Sequence, residues 1–167
     1  DQAAPVVFLG RPEPEKGAHV AIAAARQAGV PLIIAGNRPD AHADYFEREV
    51  APHIDGHAVR YVGPVDDAAK NRWLGQARAF LFPTLFAEPF GIVMAEAMAC
   101  GTPVVALANG AVPEVVRHGV NGFLCHTVEE LVAGLGSVDR IDRRTVRADC
   151  EARFSSDVIV SQYESLY

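Results

Sequence analysis

The chain has 167 residues, half of them hydrophobic, so it is long enough to fold as one compact domain with a substantial core. Its 15 lysines and arginines against 21 aspartates and glutamates give a formal net charge of -6, and no basic run interleaves with aromatic residues, which argues against nucleic-acid binding. No apolar run approaches the roughly 20 residues that a membrane helix needs, so we predict no integral membrane segment.

Short apolar runs alternate with helical patterns along the chain. The predicted strands are, in order, 6–9, 31–36, 59–63, 79–83, 103–106 and 122–124. The predicted helices are 18–28, 40–50, 66–76, one that starts near residue 91, and 112–117, and only helices follow residue 127. This alternation predicts an α/β fold, a Rossmann-like doubly wound parallel sheet of about six strands with helices on both faces.

Each loop that carries chemically distinctive residues follows a predicted strand. These loops begin at Gly10, Gly36, Gly63, Pro83 and Ala106. Ligands of doubly wound sheets bind beyond the carboxyl ends of the strands, where the strand order reverses. We therefore expect one binding site at this edge of the sheet.

The segment that begins at Glu88 is the most informative part of the chain. Glu88 precedes a helix that starts near Gly91, and Glu96 lies just over one turn inside it. The first N–H groups of a helix are unpaired and carry about half a positive charge, which suits phosphate oxygens. The oxygens of Glu96 are suited to accept hydrogen bonds from a vicinal diol. The segment predicts a site for a sugar joined through a diphosphate to a ribose, although acids near a helix start often serve only the helix.

Two cations lie in the loop after the first strand. Arg11 and Lys16, which follow Gly10, are able to neutralise a diphosphate and stabilise it as a leaving group. The alternative is a solvated loop in which both cations pair with Glu13 and Glu15. We favour the first interpretation because this loop faces the glutamate helix in the predicted fold.

The loop after the third strand offers groups for a base. Asp67 and the backbone around it are placed to hydrogen-bond a base edge, and Lys70 covers one side. Asp66 or Asp67 as a plain helix N-cap is the simpler interpretation. Glu114, after the fifth strand, either caps a short helix or lines the cleft. We expect Trp73 to be buried in the core.

Neither a metal nor a cofactor is predicted. The six histidines and three cysteines show no metal-ligand spacing. His19 is close enough in sequence to Lys16 to reach the site, but a helix-surface position is favoured. The absence of G-x-S-x-G, Walker and G-x-G-x-x-G motifs argues against a serine hydrolase, a P-loop NTPase and an ordinary dinucleotide enzyme.

The cysteines and the start of the chain bear on its setting. Cys100, Cys125 and Cys150 form an odd, sparse set without a CxxC pair, and no signal peptide is visible, so we expect a cytoplasmic protein. The chain opens at residues 1–4 without an initiator methionine and enters a strand almost at once. This start indicates a piece of a longer protein.

Over nearly its whole length the chain resembles the retaining glycosyltransferases of family 4, which have the GT-B fold. The matching motifs are Gly-Arg and Glu-Lys-Gly within 10–17, Val-Gly-Pro-Val-Asp-Asp at 62–67, Glu-Pro-Phe-Gly through Glu-Ala-Met-Ala-Cys-Gly-Thr-Pro-Val-Val at 88–105, and Val-Pro-Glu-Val-Val with Gly-Val-Asn-Gly-Phe-Leu within 112–124. The third motif is highly specific. The resemblance implies that residues 1–167 are one Rossmann-like donor-binding domain, the C-terminal half of a two-domain enzyme whose N-terminal acceptor half is absent.

The resemblance also implies roles for individual residues. Arg11 and Lys16 match the pair that holds the donor diphosphate, Glu88 matches the acid that contacts the transferred sugar, and Glu96 matches the acid that binds the ribose. The backbone that meets sugar and phosphate in the family corresponds to Phe90, Gly91, Ile92 and Val93, and the positions that contact the base or complete the donor site correspond to Val65, Asp67, Lys70 and Gly10.

These features lead to one preferred function and two alternatives. We predict the donor-binding domain of a metal-independent retaining glycosyltransferase that moves a sugar from a nucleoside-diphosphate-sugar to an acceptor, with no cofactor. The isolated domain is expected to bind donor weakly and to transfer nothing measurable. A GT-B epimerase or hydrolase of nucleotide-sugars and a non-catalytic nucleotide-sugar binding module remain open, as do the identities of nucleotide, sugar and acceptor.

Overall fold

Six parallel strands form a single sheet in the structure, a computed structural model that describes residues 4–166. Their order across the sheet is β3-β2-β1-β4-β5-β6. The strands are β1 (Val6–Leu9), β2 (Leu32–Ala35), β3 (Val59–Gly63), β4 (Ala79–Phe82), β5 (Val104–Leu107) and β6 (Gly122–Cys125). The predicted sheet is confirmed, and the opening residues Asp1, Gln2 and Ala3 lie outside the described part of the chain.

The helices follow the strands in the predicted order. They are α1 (Ala18–Ala28), α2 (Ala43–Tyr45), α3 (Asp67–Gln76), α4 (Ile92–Ala99), α5 (Val112–Val115), α6 (Val128–Ser137), α7 (Arg143–Phe154) and α8 (Ser156–Glu164). No helix within residues 4–166 is both long and apolar enough to cross a membrane.

Apolar side chains from both faces of the sheet build two cores. In β1, Val6 and Phe8 face one side and Val7 faces the other, as the twofold alternation of a strand requires. One core lies beneath α1 and α6, and the other lies beneath α4 and α7. Because both faces are covered, β2 is buried at every residue and reads as a continuous apolar run.

The segment predicted as one helix over 40–50 is less regular than expected. It consists of a 3₁₀ turn (Asp40–His42), α2, a π-helical stretch (Phe46–Val50) and a second 3₁₀ turn (Ala51–His53). Pro52 has no N–H group for the helical ladder, and a proline ring crowds the carbonyl group four residues before it. The α-helical pattern therefore cannot continue regularly into this end of the segment.

Trp73 is less buried than predicted. It is half-buried against the α4 side of the sheet rather than enclosed in the core. The guanidinium carbon of Arg60 lies 5.7 Å from the centroid of its ring, so a cation covers the outer face of the indole.

Candidate functional site

The strand order reverses between β1 and β4. From β1 the chain builds outward through β2 and β3, and it then returns to add β4 on the other side of β1. The loops after β1 and β4 diverge at this point and leave a cleft of about 310 Å³. The cleft is lined by Leu9, Gly10, Arg11, Lys16, Phe82, Glu88, Gly91, Ile92 and Val93.

The loop after β1 is held against the end of β4. Gly17 has φ +75°, and a Cβ atom on it would overlap the carbonyl oxygen of Pro83. Glycine is therefore required both by the backbone conformation and by the close approach. The N–H group of Leu85 also donates to the carbonyl oxygen of Glu15, at 2.8 Å. Because these contacts lie on both sides of Lys16 in the sequence, they place Lys16 next to the loop that follows β4.

Lys16 and Glu88 form an ion pair in the cleft. The Nζ atom of Lys16 donates to a carboxylate oxygen of Glu88 at 3.2 Å, and it lies 4.5 Å from the centroid of the Phe86 ring. The side chains are 24% and 11% exposed respectively, so both charges are partly withdrawn from water. The alternative pairing of Lys16 with Glu15 is thus replaced by a pairing across the cleft.

Arg11 forms an ion pair within its own loop. Its guanidinium group lies 3.3 Å from a carboxylate oxygen of Glu13, which is buried. The Arg11 side chain itself is 61% exposed at the mouth of the cleft. It therefore remains accessible to a ligand while one end of it is paired.

The helix α4 begins at the cleft as predicted. Its N-cap is Gly91, with φ +74°, and no side chain caps it. A Cβ atom on Gly91 would lie 2.7 Å from the Met94 side chain and 3.2 Å from the Glu88 side chain. The bare glycine lets Glu88 lie against the helix start, where the first N–H groups have no acceptor within the helix.

Glu96 belongs to a second group, farther along α4. The cleft lining ends at Val93, whereas Glu96 accepts a hydrogen bond from Lys70 of α3 at 2.7 Å. Lys70 also lies 2.9 Å from a carboxylate oxygen of Asp67. The hydrogen bonds to Glu96 and then to Asp67 raise the pKa of Lys70, so this amine stays protonated throughout the neutral range. Val65, two residues before Asp67 in the sequence, is half-buried.

The remaining candidates are explained by local structure. Asp66, not Asp67, is the N-cap of α3 and accepts from the N–H group of Ala69 at 2.7 Å. His19 is bound to the Tyr45 hydroxyl at 2.8 Å rather than to a cleft residue. Glu114 lies inside α5, not at its cap, and its carbonyl oxygen accepts a hydrogen bond from Arg153.

The contacts between the loop after β5 and the loop that carries Glu88 were not predicted from the sequence. The N–H group of Ala111 donates to the carbonyl oxygen of Glu88 at 2.7 Å, and the side-chain amide of Asn109 donates to the carbonyl oxygen of Thr84 at 2.7 Å. The Asn-Gly pair at 109–110, two residues after the end of β5, is the sequence signal of this turn.

No group of three or more His, Cys, Asp or Glu side chains within the described part of the chain is arranged to hold a metal ion.

The sequence matches the family described as glycosyl transferases group 1 over residues 4–138. It is 39% identical to phosphatidyl-myo-inositol mannosyltransferase of Propionibacterium freudenreichii over 73% of this chain and 30% of that protein. It is 35% identical to the protein of the same name from Mycobacterium leprae, over 97% of this chain and 46% of that protein. The structure of Anabaena Alr3699/HepE in complex with UDP-glucose superposes with a TM-score of 0.83, at 29% identity, over 98% of this chain and 49% of that one.

The chain belongs to the glycosyl transferases group 1 family, which confirms the predicted resemblance and the predicted half of a GT-B fold. It spans less than half the length of the relatives named above.

Proposed function

We propose that the chain is the nucleotide-sugar donor-binding domain of a retaining glycosyltransferase. The observation that carries this proposal is the cleft between β1 and β4, where Lys16, Glu88 and the start of α4 meet. Cations and a helix N-terminus suit a diphosphate, and a carboxylate suits sugar hydroxyls. The relatives support it, because two are mannosyltransferases and the Anabaena structure holds UDP-glucose.

The diphosphate lies in the cleft in this proposal. The exposed guanidinium of Arg11 and the ammonium of Lys16 contact the phosphate oxygens, together with the N–H groups of Gly91, Ile92 and Val93. Gly10 lines the same cleft, and without a side chain it leaves the end of β1 open to the ligand. No metal ion is needed, since these groups supply the positive charge that a diphosphate requires.

The sugar and the nucleoside lie on either side of the diphosphate. Glu88 accepts hydrogen bonds from the sugar hydroxyls, and Phe90 lies at the same loop. Glu96 accepts hydrogen bonds from the ribose diol, either in place of its hydrogen bond from Lys70 or in addition to it. The backbone of Val65, with Asp67 and Lys70 beside it, lies next to the base.

The domain stabilises the leaving group of the reaction. The bond between the anomeric carbon and the diphosphate breaks, and negative charge grows on the departing phosphate oxygen. Arg11, Lys16 and the α4 N-terminus stabilise that charge more strongly than they stabilise the bound donor. An acceptor hydroxyl attacks the anomeric carbon from the face of departure and passes its proton to the departing phosphate oxygen, which gives retention. The acceptor site belongs, in this proposal, to the remainder of the enzyme.

The cellular setting in this proposal is the cytoplasm. Cys100, Cys125 and Cys150 are all free thiols in the structure, as expected for a reducing compartment.

A melting-temperature panel tests the proposed function. The chain is heated with UDP-, GDP- and ADP-sugars at millimolar concentration, with and without EDTA. A ligand that binds only the folded state, at about ten times its Kd, stabilises that state by about 1.4 kcal/mol. We expect one nucleotide class to raise the melting temperature equally with and without EDTA. If none of the three raises it, the proposal is wrong.

A further inference from the structure

The loop 108–111, which joins β5 to α5, lies against the backbone of Glu88. The N–H group of Ala111 donates to the carbonyl oxygen of Glu88 at 2.7 Å. This bond fixes the main chain at the residue whose carboxylate pairs with Lys16 in the cleft. A residue outside the cleft therefore holds a residue inside it.

Gly110 permits this contact. Its φ is +59°, a region that side chains rarely adopt, and a Cβ atom on it would overlap the backbone nitrogen and oxygen of Glu88. The same atom would also lie 2.6 Å from the carbonyl carbon of Ala87. All three obstacles are backbone atoms, so no side-chain rotation relieves them. Any larger residue at 110 must displace either the loop or Glu88.

Asn109 fixes the other end of the same segment. Its side-chain amide donates to the carbonyl oxygen of Thr84, at 2.7 Å, and Thr84 is fully buried. On the opposite side, the N–H group of Leu85 donates to the carbonyl oxygen of Glu15. Segment 84–88 is thus held between the loop after β1 and the loop after β5.

We propose that Asn109 and Gly110 are positioning residues that place the Glu88 carboxylate at the sugar end of the cleft, which rests on the proposed function. Arg11 and Lys16 belong to the loop after β1, and the N–H groups at the start of α4 are held by the packing of that helix in the core, so the phosphate-binding groups do not depend on this contact. Displacement of an active group by about 1 Å is enough to lose its interaction with a ligand. Loss of the contact should therefore weaken recognition of the sugar and leave binding of the nucleoside diphosphate unchanged.

Calorimetry with matched ligand pairs tests this role. UDP-glucose and UDP, GDP-mannose and GDP, and ADP-glucose and ADP are titrated into the wild-type chain, and the pair that binds most tightly is kept. We expect Gly110→Ala to reduce the affinity for the nucleotide-sugar, relative to its diphosphate, by about tenfold, the loss of one hydrogen bond to a charged group. Affinity for the diphosphate should stay within about twofold, well below that effect.

Two further variants make the result decisive. Gly119→Ala is the matched control, because Gly119 has a φ of +77° but a Cβ atom on it would have no other atom within 4 Å. This variant should keep the wild-type ratio of nucleotide-sugar affinity to diphosphate affinity. Asn109→Ala, which removes only the bond to Thr84, should lower the ratio in the same direction and decides the question if Gly110→Ala does not fold.

The outcomes separate the two proposals. An unchanged ratio in the folded variants, or an equal loss for both ligands of the pair, would overturn the positioning role while the proposed function stands. A wild-type chain that binds none of the six ligands would overturn the proposed function, and the positioning role with it.

Discussion

The ammonium nitrogen of Lys16 lies 3.2 Å from a carboxylate oxygen of Glu88, although 72 positions separate the two residues in the sequence. The pair forms because β1 and β4 are neighbours at the reversal of strand order, so the loops that follow them meet. Within this pair each charge offsets the other. In the proposed function, a bound phosphate provides a new partner for Lys16 and a bound sugar provides one for Glu88.

Replacement of Lys16 tests the phosphate part of the cleft. We expect Lys16→Met to weaken binding of the nucleoside diphosphate and of the nucleotide-sugar alike, by about 10- to 100-fold, because each loses a charge-assisted hydrogen bond. Calorimetry measures both affinities. Arg140→Met, which removes an exposed cation outside the cleft, is the control. Equal affinities in the two variants would show that Lys16 does not contact the ligand.

The two glutamates are expected to differ in what they recognise. Glu88→Gln removes the charge that pairs with Lys16, so affinity for the diphosphate should stay equal or rise, while the preference for the nucleotide-sugar falls. Glu96→Gln should lower the affinity for both the diphosphate and the nucleotide-sugar by about tenfold, because the ribose is common to the two ligands. The measurement is the ratio of the two affinities in each variant. The same ratio in both variants contradicts this division of roles.

The contact between Gly17 and Pro83 predicts a difference in stability. Gly17 and Gly29 flank α1 and have φ of +75° and +66°, but only a Cβ atom on Gly17 meets other atoms. Gly29→Ala should cost about 1 kcal/mol of unfolding free energy from its backbone conformation alone. Gly17→Ala should cost about 2 kcal/mol more because of the overlap. Urea denaturation measures both, and equal losses would be inconsistent with the close approach.

The cysteines are expected to react slowly in the folded chain. Burial raises the pKa of the Cys125 thiol to about 12, and it also raises the pKa of Cys100 and Cys150. At pH 8 a thiol with a pKa of about 12 is ionised in about 1 molecule in 10⁴, and only the thiolate attacks an alkylating reagent. Mass spectrometry after iodoacetamide treatment should find Cys125 unmodified in the folded chain and modified in urea. Rapid modification of folded Cys125 at pH 8 would contradict the buried site.

Local signals in the sequence were enough to predict most elements. Helix α1 has the predicted bounds because Gly29 marks its end and an unbroken helical pattern follows Gly17. The start of α4 at Gly91 was predicted from the same kind of signal. Strand β2 was predicted from its apolar run, and its ends differ from the prediction by one residue each.

Pairings between side chains that are far apart in the sequence could not be predicted from it. Nothing near Lys16 shows that it pairs with Glu88 instead of Glu15, since that choice depends on how two loops approach in space. The pairing of Lys70 with Glu96 depends likewise on the packing of α3 against α4. The role of Gly110 was hidden for the same reason, because its neighbour is the backbone of another loop.

A titration followed by ¹⁵N–¹H correlation spectra tests the central claim most directly. The nucleotide-sugar that raises the melting temperature is added to labelled chain, and every backbone amide is monitored. We predict the largest shifts at the amides of Ile92 and Val93, at the start of α4. A second cleft of about 610 Å³, lined by Arg78, Pro103, Asp139 and Arg143 among others, lies at the opposite ends of the strands. Shifts centred on that cleft, with the α4 amides unchanged, would contradict the account.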